Sequence, residues 1–252
     1  MYDKIKVGEV YPSNRGGDFT VVEVYSSQKI KIKFNDKYGQ EKITSPEKIF
    51  IGGISNSYAK TCFGVGFIGE GIFNSSIKNE HIGIYRIWSG MMSRGYSENW
   101  KGLKPTYADV VVCEEWHNLQ VFGEWILNHP FYGLGYHLDK DLLFKGNRLY
   151  SPNTCTLIPD EINIIFKSYN VKNRKVDLPR CVDYEESSGM FRVNGSLDGK
   201  AVYVGRYKTV CEAERAALDF EQRRWKHLVN KWEGKVEDKV IDKIKILIIS
   251  SI

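Results

Sequence analysis

Long apolar runs, paired cysteines and a strong charge of one sign are all missing from this sequence. The apolar run Ile246–Ile249 is far too short to span a bilayer, and the first residues, MYDKIKVGEVY, lack the apolar core of a signal peptide. The five cysteines are an odd number without CxxC spacing, which supports neither a disulfide framework nor a four-thiolate zinc site. We therefore expect free buried thiols in a cytoplasmic protein with no membrane partner.

The composition that remains is that of a folded protein. Hydrophobic residues make up 42% of the 252 residues and charged residues 27%, and the 13% of aromatic residues argues against disorder. This length holds one large domain or two to three small ones. The net charge of +5 fits a polyanionic partner but is too small to identify one.

Residues 1–60 indicate a small β module of the SH3-like kind. Strands are predicted at 19–25, 29–34 and 48–51, with turn residues between them. Alternation in 29–34 places lysines on one face and apolar side chains on the other: Lys29, Lys31 and Lys33 against Ile30, Ile32 and Phe34. Lysines that repeat at about 7 Å match the phosphate spacing of one DNA strand, but the solvated face of a half-buried strand has the same pattern.

Gly64, Gly66 and Gly69 match the GxGxxG pattern. A dinucleotide site needs a helix that opens at the third glycine, so that its amides face a pyrophosphate. The residues that follow are extended or turning, so we predict a glycine-rich β-hairpin and no small-molecule substrate.

Two helices are predicted next, at 82–94 and 114–127. Each has apolar side chains at the spacing of a core stripe. The stripes consist of Ile84, Ile87, Trp88, Met91 and Met92, and of Trp116, Leu119, Phe122, Trp125 and Ile126. We assign these aromatic side chains to the core and not to base stacking.

Residues 137–166 predict a strand, a turn, a second strand and a helix. The strands would be 138–144 and 148–151 around Lys145-Gly146-Asn147, and the helix would begin near Pro159, which a first helical turn tolerates. Residues 167–180 then hold five basic residues against one acid and predict a linker. Its Lys172, Arg174 and Lys175 could lie along DNA phosphates.

At this point the sequence resembles a known family. The patterns W-x2-M-x2-R from Trp88, VCEEW at 112–116, and LDKD with YSPNTC between 138 and 155 resemble phage HNH endonucleases, including homing endonucleases of group I introns. The resemblance implies a ββα module over 61–166, in which an aspartate and a helix asparagine hold one Mg²⁺ or Mn²⁺ and a histidine activates water. Asp139 matches the metal-binding aspartate and Asn163 the helix ligand.

Two positions depart from the family pattern. Lys140 stands at the catalytic histidine, and Thr154 or its neighbour Asn153 stands at the central asparagine. A lysine is a poor general base unless burial lowers its pKa by several units. The nearest substitute is His137, which shares a strand face with Asp139, and Asp141 on that face would be a ligand or a base. The module therefore either cleaves DNA or remains as an inactive docking scaffold.

Residues 181–233 predict three strands and a long helix. Ser187-Ser188-Gly189 and Asp198-Gly199 are turn signals between the strands. The helix begins after Thr209 and packs an alanine-rich stripe on one face of the sheet. The other face stays open, and this arrangement suits a β-sheet that reads the DNA major groove.

The same segment resembles the Apetala2/ethylene-response-factor domain through G-x-F-R-V from Gly189, Y-V-G-R-Y-K-T from Tyr203 and E-A-x-x-A-A-x-x-F from Glu212. The resemblance implies double-stranded DNA as the partner, and a reading face made of Arg192, Asn194, Ser196, Lys200, Tyr203 and Arg206. Arginine and asparagine can read guanine or adenine edges, whereas lysine serves phosphates. The tail 234–252 has helical spacing and would dock on the body or on a second subunit, so the oligomeric state stays open.

The sequence thus predicts an α+β protein with a small β module, an HNH-like module, and a three-stranded sheet with a helix. We expect sequence-specific binding and metal-dependent cleavage of duplex DNA by a phage-encoded homing-type endonuclease in a bacterial host. The alternatives are a DNA-binding regulator on an inactive HNH scaffold and, more distantly, a phage structural protein that reuses these modules.

Overall fold

A computed structural model describes residues 4–169 and 178–250, except for the side chains of 167–169 and 247–250. The linker residues Lys172, Arg174 and Lys175 lie outside the described residues. Helices and strands both contribute, and the predicted α+β class is confirmed. Within the described ranges, no helix has the length and apolar character that a membrane span requires.

The strands, in chain order, are β1 (Val10–Ser13), β2 (Gly17–Ser26), β3 (Lys29–Phe34), β4 (Glu41–Thr44), β5 (Val111–Val112), β6 (His137–Asp139), β7 (Leu149–Tyr150), β8 (Thr156–Ile158), β9 (Val182–Glu185), β10 (Met190–Leu197) and β11 (Lys200–Tyr207). The helices are α1 (Pro46–Phe50), α2 (Ile82–Tyr96), α3 (Glu98–Leu103), α4 (Leu119–Leu127), α5 (Asp160–Tyr169), α6 (Val210–Trp232) and α7 (Asp238–Ser250), with short 3-10 turns at Pro105–Tyr107 and Glu114–His117.

The chain divides into two compact units. The first contains the residues up to His129 together with Arg148–Ser151, and the second contains Pro130–Asn147 and the chain from Pro152 onward. This division at 129 differs from the predicted boundaries at 60 and 166.

The first unit begins with an antiparallel sheet in the order β1-β2-β3-β4. Ile30, Ile32 and Phe34 of β3 are buried, as the alternation predicts, while the Lys31 ammonium forms a 2.7 Å ion pair with Glu41 on β4. The strand predicted at 48–51 is wrong, because this segment belongs to α1. Pro46 stands in the first helical turn, where proline is tolerated, and the apolar run after it imitates a strand.

The two helices predicted at 82–94 and 114–127 are present in the first unit, whereas α3 was not predicted. α2 buries Ile84, Trp88, Met91 and Met92, and the predicted helix at 114–127 divides into a 3-10 turn and α4. The division falls at Asn118, because its side chain accepts a hydrogen bond from the Gln120 N–H and caps α4.

The glycine-rich segment forms a turn with one bridge between Cys62 and Gly66, and not the extended hairpin that we predicted. A β-carbon added at Gly66 would lie 2.8 Å from the Trp88 ring. This glycine therefore permits close packing on α2, and no helix opens at Gly69.

The predicted hairpin of 138–144 with 148–151 is wrong. β6 pairs antiparallel with β8, whereas β7 pairs in parallel with β5 inside the first unit. Two hydrogen bonds between Lys140 and Asn147 hold the Lys145-Gly146-Asn147 turn in place. Lys140 Nζ donates to the Asn147 carbonyl, and Asn147 Nδ2 donates to the Lys140 carbonyl, both at 2.9 Å. The partner of β6 is thus β8, a strand that was not predicted, and α5 follows it in the chain.

The second unit is organised by α6. Thr209 caps this helix in a capping box with Glu212. Its first half packs on the sheet β11-β10-β9 through Ala213 and Ala217. Its second half packs with α5 and α7 in a core that contains Ile158, Ile162, Phe166, Trp225, Leu228, Val229, Val236, Val240, Ile241 and Ile244. The predicted HNH-like strands and helix, the C-terminal sheet and the tail therefore share one unit, and the tail docks on its own chain.

The cysteines are all free, as predicted, but their predicted burial holds only for Cys155. Cys211 is exposed on α6.

Candidate nucleic-acid interface

The face of the β9–β11 sheet turned away from α6, here called the open face, is set by a β-bulge. β10 and β11 pair Val193 with Gly205 and Asn194 with Tyr203, so Val204 is an extra residue on β11. Tyr203 and Arg206 are three positions apart, which would put them on opposite faces of a regular strand. The bulge brings both to the open face.

Two arginines lie directly opposite each other on this face, Arg192 on β10 and Arg206 on β11. Both approach Glu185 on β9, the edge strand that pairs with β10. Arg206 Nε and Nη2 lie 2.8 and 2.9 Å from the two carboxylate oxygens, and Arg192 Nη1 lies 3.7 Å from one of them. In the amide orientation that satisfies both of its polar atoms, Asn194 Oδ1 accepts from Arg192 Nε at 2.8 Å.

The remaining predicted residues of the reading face do not all lie on the open face. Ser196 and Tyr203 are exposed on the open face, and 60% of Tyr203 is accessible to solvent. Lys200 pairs with Leu197, one residue after Ser196, so the alternation of β10 and β11 assigns it to the opposite side of the sheet, beside the Asp198-Gly199 turn. The prediction of Lys200 as part of the reading face is wrong for this reason.

Asp139 ends β6 and is built into the turn that follows. Its Oδ1 accepts hydrogen bonds from the backbone N–H groups of Asp141 and Leu142, at 2.9 and 2.7 Å. Burial raises the pKa of Asp139, and the hydrogen bond from Leu142 only partly opposes this effect. The carboxylate therefore has a structural partner and is costly to keep ionised.

Lys140 is an anchor of the loop that follows β6. It is buried, and its ammonium lies 2.5 Å from Asp141 Oδ1 in addition to its bond to the Asn147 carbonyl. Asp141, considered above as a ligand or a base, thus serves as a counter-ion to Lys140.

His137, at the start of β6, contacts the first turn of α5. Its Nε2 lies 2.8 Å from Asp160 Oδ1, and about half of the imidazole is exposed. Asn163 is half-buried one helical turn after Asp160, on the same side of α5, so that side of the helix lies next to β6. Asp160 was not among the predicted site residues, because the β6–α5 contact has no local sequence signal.

The predicted metal ligands supply only part of the shell of a divalent cation. Asp139 and Asn163 offer one carboxylate and one amide, and one carboxylate oxygen already accepts two backbone N–H groups. In the described part of the chain, no three His, Cys, Asp or Glu side chains are grouped to hold a metal ion. Mg²⁺ is commonly held by one or two carboxylates together with water and substrate phosphates.

Comparisons with protein-family models, with curated proteins and with solved structures found no match to this chain.

Proposed function

We propose that this protein binds duplex DNA through the open face of the β9–β11 sheet. The observation that carries the proposal is the cross-strand pair Arg192 and Arg206, with Asn194 and Tyr203 as the next pair on the same face. Arginine and asparagine have the donor and acceptor geometry that reads base edges, and a β-sheet can enter the major groove.

The charges on the three strands are arranged asymmetrically. The edge strand β9 and the turn after it carry Asp183, Glu185 and Glu186, whereas β10 and β11 carry Arg192 and Arg206. DNA phosphates would be repelled from the β9 edge, so we expect the backbone to approach the β10–β11 side.

A duplex suits this surface better than a single strand. Sequence-tolerant binding of single strands depends on successive aromatic platforms. Among the described positions of β9–β11 on the open face, Tyr203 is the aromatic one, because Tyr184 pairs with Phe191 on the helix side.

Fluorescence anisotropy with mixed-sequence duplexes at rising salt tests the proposal. We expect binding at low salt that weakens steeply, since neutralised phosphates release counterions. Arg206→Ala should weaken binding, whereas Arg215→Ala on exposed α6 removes the same charge and should change little. No binding at low salt, equal effects of the two variants, or tighter binding to the corresponding single strand would each overturn the proposal.

Phosphodiester cleavage is a second candidate function, supported by the contact of His137 with Asp160. A histidine oriented by a carboxylate is the usual arrangement of a general base. Nicking of supercoiled plasmid in the presence of Mg²⁺ or Mn²⁺ tests it separately from binding.

A further inference from the structure

Glu185 offsets the repulsion between two arginines on the open face. Arg192 and Arg206 stand directly opposite each other, and like charges in this position destabilise an antiparallel sheet. The Glu185 carboxylate receives the Arg206 guanidinium in a two-point contact at 2.8 and 2.9 Å, and also attracts Arg192 at 3.7 Å. One carboxylate thus serves two arginines.

The carboxylate is itself fixed. Ser188 Oγ, in the turn between β9 and β10, donates to Glu185 Oε2 at 2.7 Å. This hydrogen bond and the one from Arg206 hold the pKa of Glu185 below its usual range. Isolated surface ion pairs contribute little to stability, but two-point arginine contacts within a network are geometrically specific.

The constraint on the two arginines bears on what they can bind. A guanidinium that is free to turn makes phosphate contacts, which are independent of sequence. A guanidinium whose Nε edge is already occupied can offer only its remaining N–H groups, in one direction. Arg206 Nε is occupied by Glu185, and Arg192 Nε is occupied by Asn194.

We propose that Glu185 is a positioning residue that sets the sequence discrimination of the sheet, because it keeps Arg192 and Arg206 off the phosphates and aimed at base edges. This inference rests on the proposed DNA binding. In this role, Glu185 weakens the binding of the protein to DNA in general and increases its preference for one sequence.

The test begins with selection of a preferred duplex from a randomised pool by the unaltered protein. Affinities for that duplex and for a scrambled one then give a preference ratio. Glu185→Gln keeps the shape of the side chain and removes the charge. We expect tighter binding to the scrambled duplex, a steeper salt dependence from the added phosphate contacts, and a preference ratio about tenfold lower.

Two further variants make the result decisive. Glu186→Gln removes the same charge at the adjacent exposed position, and should tighten binding to both duplexes without changing their ratio. Ser188→Ala retains the Glu185 charge but removes its hydrogen bond, and should lower the ratio to a smaller extent. Ser188→Ala also provides the test where Glu185→Gln does not fold.

The outcomes separate the two proposals. Failure of the unaltered protein to bind any duplex refutes DNA binding itself. Normal binding with an unchanged ratio in both Glu185→Gln and Ser188→Ala, or an equal fall of the ratio in Glu186→Gln, refutes only the role of Glu185.

Discussion

His137 Nε2 and Asp160 Oδ1 are 2.8 Å apart, so the first residue of β6 and the first residue of α5 meet side chain to side chain. In a neutral imidazole, a carboxylate that accepts from one nitrogen leaves the other nitrogen as an acceptor, which is what a general base requires. This contact joins β6 to α5 two residues before Asp139.

Cleavage should therefore depend on this contact. In a plasmid-nicking assay with Mg²⁺ or Mn²⁺, His137→Ala should lower the rate about 100-fold or more, the usual contribution of a general base. Asp160→Asn should lower it in the same direction, whereas Arg215→Ala on exposed α6, far along the chain from this contact, should keep the rate. Absence of nicking by the unaltered protein would remove the second candidate function and leave DNA binding.

Asp139→Asn should stabilise the protein at neutral pH. The folded state raises the pKa of Asp139, so stability falls as the pH rises above the ordinary value of 3.8, and the full cost of the charge is reached above the raised pKa. Asparagine keeps an oxygen to accept from Asp141 and Leu142 without that cost. The gain should shrink as the pH falls and vanish below the ordinary value of 3.8, where both side chains are neutral.

Thermal unfolding at a series of pH values measures this difference. Asp183→Asn on the exposed surface of β9 is the control, and should change stability little. A loss of stability in Asp139→Asn at pH 7 would show that the ionised carboxylate stabilises its turn, contrary to this reasoning.

Arg192→Ala and Lys200→Ala should affect DNA binding differently. Arg192 lies on the open face, so its loss should cost about 1–3 kcal/mol on the preferred duplex and relax the preference. Lys200 lies on the other side beside a turn, so its loss should weaken binding to all sequences alike and only slightly. Equal losses of preference in both variants would contradict the observed register.

Gly195→Ala should destabilise the second unit. An added β-carbon would lie 2.0 Å from the ring of Phe220, which is buried and has little room to move. Overpacking costs about 1–3 kcal/mol, more than the gain of about 0.4–1 kcal/mol from a less flexible unfolded chain. Gly90→Ala in α2 meets nothing within 4 Å and should be stabilising; urea unfolding of both variants measures the contrast.

Sequence patterns predicted the parts of the fold that local chemistry decides. The turns at Ser187-Ser188-Gly189 and Asp198-Gly199 join adjacent strands, so they placed β9, β10 and β11 correctly. Thr209 likewise marked the start of α6, because a capping box needs residues only three positions apart.

The pairings that failed are long-range or irregular. β6 and β8 are separated by residues 140–155, and β7 pairs with β5 from before α4, so strands of two or three residues leave no periodicity to recognise. The bulge at Val204 also has no signal in the sequence, since alternation alone would place Tyr203 and Arg206 on opposite faces of the strand. Of the candidate site, the sequence therefore supplied the arginines but neither Glu185 nor Asp160, which depend on contacts between strands and helices.

The dual packing of α6 limits how the C-terminal sheet can be transplanted. A fragment cut at residues 178 and 234 would retain the contacts of Ala213 and Ala217 with the sheet but expose Trp225, Leu228 and Val229, which are buried against α5 and α7. Such a fragment would expose an apolar stripe to solvent and would aggregate through it. A chimera that borrows the β9–β11 surface would have to take residues 130–147 and the chain from Pro152 through α7 with it.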